Sequence, residues 1–147
     1  PVPITLQTFF VLLSGAFLGS KLGSLSQVLY LVLGIFGIPV FSAGSYGLAR
    51  IFGPTGGYIL GFIVSSYVVG KLLCSQRSSR GANLRYLEII LTFAIGNSII
   101  YLLGALQLKF VLSLSLLESL QKGVIPFIVG DFVKILTAAG IYRSLQK

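Results

Sequence analysis

Histidine, methionine and tryptophan are absent from this chain, cysteine occurs once, and only three side chains are acidic. Each shortage closes off a class of function. Without histidine there is no imidazole to ligate zinc or haem, or to act as the base of a Ser-His pair. The acids Glu88, Glu118 and Asp131 are far apart in sequence and form no Asp-rich metal motif. A lone Cys74 makes no intramolecular disulfide and reads as the cap of an apolar run, without chemistry. No basic n-region precedes the first apolar stretch, so nothing reads as a secretory signal. Neither an enzyme nor a metal or cofactor site is expected.

Charge is scarce altogether. Only 10% of residues are charged, against about a quarter in soluble domains. Hydrophobic residues make up 55% of the chain and mean hydropathy is +0.97. Apolar runs near the roughly 18-residue length that spans a bilayer recur from end to end. The expected fold is therefore all-α: a polytopic transmembrane helical bundle, one integral-membrane domain over residues 1–147, with membrane lipids around it. Five spans are expected, at about Ile4–Ser20, Leu25–Ala43, Tyr58–Cys74, Arg85–Leu106 and Val124–Tyr142. The apolar stretch Phe110–Leu117 is too short to cross and reads as an interfacial helix.

The net charge of +8 does not indicate nucleic acid. Lys71, Arg77, Arg80 and Arg85 flank one polar connection, SQRSSRGAN, and no basic face interleaved with aromatics follows it. Such a loop is what the positive-inside rule produces at the cytoplasmic face. Alternation then places Lys21, Arg143 and Lys147 on that side too, against Arg50, Lys109 and Lys122 on the other. The outer face receives the start of the chain, the connection after the second span, and the Asp131 end of the last one. Five spans leave the N-terminus outside, so an N-terminal truncation is expected, a helix ahead of Pro1 returning it to the inside.

Three features of the outer end carry polar chemistry. Asp131 and Lys134 lie three residues apart on one helical face, roughly 10 Å below the expected start of their span. Charges inside hydrocarbon are costly, and they mark either a packing pair or a ligand path. The segment Gly37–Tyr58 holds six Gly and two Pro in 22 residues, which forbids a continuous helix. Irregular backbone at this depth lines a cavity or is buried by protein. With Tyr46, Phe52 and Tyr58 embedded in it, the segment is expected to be a packed lid. Thr5 and Gln7 enter the first span just after Pro3, and Asn97 sits mid-span, able to bridge two helices. Small residues at four-residue spacing, Gly15, Gly19, Gly23 and Gly57, Gly61, Ser65, are helix-contact faces.

The stretches VPITLQTF, YLVLGIFGIPVFSAG, GPTGGYILGF and IPFIVGDFVKI, in that order and spacing, resemble the BioY family of biotin transporters. These are S components, the substrate-binding subunits of energy-coupling-factor (ECF) vitamin transporters. The resemblance covers nearly the whole chain. It implies six membrane helices, of which this chain supplies five from the second onward. It also implies high-affinity capture of biotin at the outer face of the cell membrane, and an energising module of a transmembrane scaffold with two ATPase subunits. Substrate contacts are then expected from Asp131, Lys134, Gln7, Thr5, Gly44, Ser45, Thr55, Gly57, Tyr58 and Asn97. The alternatives are an S component for another vitamin and, in a different class, a membrane channel or structural helical bundle. A channel is disfavoured by the lack of acid rings or a TVGYG-type run.

Overall fold

The computed structural model describes residues 4–81 and 83–146, and the described residues contain helices and no strands. In order they are α1 (Gln7–Ile35), a 3-10 turn (Ser42–Gly44), α2 (Leu48–Ile51), α3 (Gly56–Arg80), α4 (Tyr86–Leu112), α5 (Leu116–Gly123), a second 3-10 turn (Ile125–Phe127) and α6 (Ile128–Leu145). Pro3 and Lys147, which enter the expectations above, lie outside the described residues.

The first two expected spans are the arms of one hairpin. Gly19 breaks α1 with φ +85° and ψ 179°, a conformation closed to side chains with a Cβ. Chain direction reverses there. Gln27 then donates to Ser14 at 3.1 Å and Gln7 to Tyr30 at 2.6 Å, the pairing of antiparallel neighbours. The second arm stops at Ile35, short of the expected Ala43, because Gly37 and Pro39 cannot carry a helix onward.

Two other boundaries move outward. The third span continues through the polar residues 75–80 to Arg80, and only 81–85 connect it to α4. Ser, Gln and Arg sustain a helix once nucleated, and Gly81 at φ +85° ends it. The fourth runs to Leu112, so the short separate helix is α5, not Phe110–Leu117. Ser115 and Glu118 cap it reciprocally, at 3.2 Å and 2.9 Å.

Helices α3 and α4 and the run from Leu116 to Leu145 are each long and apolar enough to cross a membrane, and α1 reaches that length only with both arms of its hairpin counted together. The bundle wears its apolar residues outside as well as in. Leu91, Ile95, Leu102, Val129 and Phe132 are exposed, while Val69, Ile89, Phe93, Leu108 and Tyr142 fill the core. An exposed apolar belt of this extent is suited to lipid. The protein is an integral membrane helical bundle.

Small residues let α1, α3 and α4 approach. A Cβ on Gly15 or Gly23 would strike Ser66 of α3, and one on Gly61 would strike Ile100 of α4. Apart from Gly19, which meets no neighbour and serves the reversal instead, the expected contact residues are thus spent on packing within the chain. At one end, Gly70 meets Ser20 and Phe17 stacks edge-on with Tyr142. That end gathers Lys21, Lys71, Arg77, Arg80, Arg85 and Arg143. The opposite end gathers residues 36–55, α5 and the start of α6.

Candidate substrate-binding site

Asp131 lies in the first turn of α6, since that helix begins at Ile128. Its depth is about 4.5 Å along the axis rather than the 10 Å expected from a span starting at Val124. The positive end of a helix favours a carboxylate there. The side chain is nonetheless buried: Asp131 is 4% exposed. Its Oδ1 accepts from Lys134 Nζ at 2.9 Å and from Thr8 Oγ1 at 3.4 Å. Its Oδ2 accepts from Asn97 Nδ2 at 3.5 Å and from the Tyr101 hydroxyl. Four donors from three helices meet on one carboxylate. Lys134 also donates to the backbone carbonyl of Thr5.

A buried ion pair survives desolvation only when further hydrogen bonds satisfy both partners. This one meets that condition. It also leaves polar capacity over: Asn97 Oδ1 is buried with no partner among the described residues, and Thr55, buried at the start of α3, lines neither cavity. A cavity of about 50 Å³ opens beside the pair, lined by Thr5, Thr8, Tyr58, Phe62, Ile100, Tyr101 and Phe127. A second cavity of about 370 Å³ shares Phe62 as a lining residue and is bounded by Leu6, Gln7, Phe10, Val11, Gln27 and Tyr30.

The BioY family model matches residues 1–147. The chain belongs to the BioY family. It is 44% identical over 146 residues to a probable biotin transporter BioY of Pyrococcus horikoshii, covering 99% of this chain and 82% of that protein. It is 38% identical to the biotin transporter BioY of Thermotoga maritima, across all of this chain and 82% of the relative. Among solved structures it superposes on the S-component for biotin from an ECF-type ABC transporter with a TM-score of 0.86. That pair shares 32% identity over 99% of this chain and 76% of the other. BioY proteins are transporter components and not enzymes.

This BioY chain brings together five of the residues singled out in its sequence: Asp131, Lys134, Thr5, Asn97 and Tyr58. Gln7 stands next to them, turned toward Tyr30 and the larger cavity. Tyr58 presents its ring to the small cavity while its hydroxyl donates to the Gly123 carbonyl at 2.6 Å. Ser45 and Gly44 sit on the connection between α1 and α2, Gly44 exposed and Ser45 bonded back to Ser42 at 2.8 Å. Of the two roles expected for Gly57, helix contact and substrate contact, the packing supports the first. A Cβ there would collide with Leu103 and Gln107 of α4, so its bareness serves helix packing. The packed aromatic lid also fails in part. Tyr46 and Phe52 are 61% and 74% exposed, and it is Phe41 that turns inward, against Tyr30 at 5.5 Å.

Thr8 and Tyr101 complete the cluster and escaped the sequence reading. Tyr101 follows Asn97 by four residues, one helical turn on the same face, so the spacing held a usable signal. Thr8 offered none.

Proposed function

We propose that this chain captures biotin at the outer face of the cell membrane, as the S component that delivers it to an ECF module of scaffold and two ATPase subunits. The observation that carries the reading is the buried Asp131–Lys134 pair, in a BioY chain, at the end of the bundle opposite the basic residues. Orientation follows from those residues, which favour the cytoplasmic side.

The chemistry of the cluster matches the ureido ring. That ring offers N–H donors on either side of a carbonyl oxygen, and the cluster offers acceptors and a donor side by side. Asp131 and the unpartnered Asn97 Oδ1 take N–H groups, and Lys134 has a proton left for the ureido oxygen. Charge-assisted bonds in a dry pocket are the strong ones, as capture of a scarce vitamin requires. Tyr58, Phe62 and Ile100 cover the apolar thioether ring. The cavity of about 50 Å³ is far below the roughly 300 Å³ minimum of small-molecule pockets, so capture requires these walls to part. Phe62 lines both this cavity and the larger one.

Calorimetric titration of the detergent-purified protein with biotin and with other vitamins tests the proposal. Saturable binding of biotin alone is the expected result. Preference for another vitamin, or ion conductance without saturable binding, would overturn it.

A further inference from the structure

We propose that Arg50 is the cation that receives the carboxylate of the captured ligand. The inference rests on the biotin reading and adds a second subsite to it. The ion pair of Asp131 and Lys134 is electrically balanced, and Lys134 already spends protons on Asp131 and on the Thr5 carbonyl. A ligand that brings its own carboxylate needs another positive group.

Counting the acids isolates the candidate. The chain has three. Asp131 is taken by Lys134, Glu88 by Arg80 and the Arg85 N–H, and Glu118 by the capping box of α5. None faces Arg50. Its Nη2 donates to Ser42 Oγ at 3.1 Å, which fixes the guanidinium over the connection, while its Nε is buried with no acceptor among the described residues. A buried guanidinium N–H without an acceptor is unusual, because that group forms strong paired bonds with carboxylates. The other cations of this end are held differently: Lys109 stands over the Phe110 ring and Lys122 is exposed.

Position agrees with the role. Arg50 is tied to Ser42, whose chain neighbour Phe41 packs its ring against Tyr30 at 5.5 Å. Tyr30 binds Gln7 and lines the larger cavity, whose Phe62 wall borders the Asp131 pocket. A ligand with its ureido ring on Asp131 and its methylene chain along Phe62 and Tyr30 therefore ends at Arg50.

The test compares biotin with its methyl ester, which keeps the ureido ring and removes the negative charge. The unmodified protein is expected to bind biotin about ten- to a hundredfold more tightly than the ester, the range of a hydrogen bond to a charged group. Arg50→Gln should erase that preference by weakening biotin alone. Arg50→Lys keeps the charge without the fork and should retain part of it, which also serves if Arg50→Gln does not fold. Equal affinity for acid and ester in the unmodified protein overturns the proposal, as does an undiminished preference in either variant. Failure of both ligands to bind the unmodified protein overturns the biotin reading itself, a result distinguishable from the others.

Discussion

Asp131→Asn is the most informative single change, because the structure shows two consequences that its sequence presents as alternatives. The substitution keeps the shape but removes the charge. Lys134, 13% exposed at its side chain, keeps the Thr5 carbonyl and loses its counterion. Breaking a buried pair in this way costs about 3–5 kcal/mol. The lower end applies here, since the new amide still accepts from one side and Asn97 can turn its unpartnered oxygen toward the new N–H. We expect the ligand-free variant to melt several degrees lower, not to keep the near-normal stability that a pure ligand site would have. Biotin affinity should fall as well, by roughly 1.5–3 kcal/mol, about ten- to 150-fold. The two effects separate in a cycle with Lys134→Gln, measured by thermal denaturation without ligand and by calorimetry with it. Removing both charges should restore part of the stability and none of the affinity. An Asp131→Asn protein that melts early yet binds biotin as tightly as the parent would show that the pair is architecture only.

Three further outcomes are expected. Gly19→Ala should destabilise the hairpin by about 1–3 kcal/mol, the cost of a side chain in that backbone region, with biotin affinity unchanged in the folded fraction; thermal melts and titration check both. Gly57→Val should lower stability first, by about 1–3 kcal/mol or more through the collision with Leu103, and loss of binding without loss of stability would return Gly57 to the ligand site. Exposed Cys74 should resist an impermeant thiol reagent in intact cells, whereas a cysteine at Ser45 in a Cys74→Ser background should react; the opposite pattern would invert the topology.

Apolar runs made α3, α4 and α6 visible in the sequence, because length and hydropathy alone decide whether a helix suits a bilayer. Their ends were not visible. Residues 75–80 are polar yet helical, since a helix beyond the hydrocarbon no longer needs apolar side chains. Asp131, Lys134 and Asn97 stood out because polar groups in a span demand partners. Thr8 did not, since threonine is ordinary in membrane helices and only the crossing of α1 and α6 aims it at Asp131, while Tyr101 carried no more than its one-turn spacing from Asn97. Gly57 shows the converse limit. Bare backbone signals a close neighbour, and sequence does not say whether that neighbour is a ligand or Leu103.

The break at Gly19 bears on how the chain enters the membrane. Its arms, residues 7–18 and 20–35, reach roughly 18 and 24 Å at 1.5 Å per residue, both short of the roughly 30 Å hydrocarbon layer. Neither is long enough to be stopped on its own as it leaves the insertion machinery. Joined by a one-residue reversal and bonded through Gln7–Tyr30 and Ser14–Gln27, they are expected to enter as a single wedge. A substitution at Gly19 is therefore expected to lower the number of molecules that reach the bilayer more than the affinity of those that do.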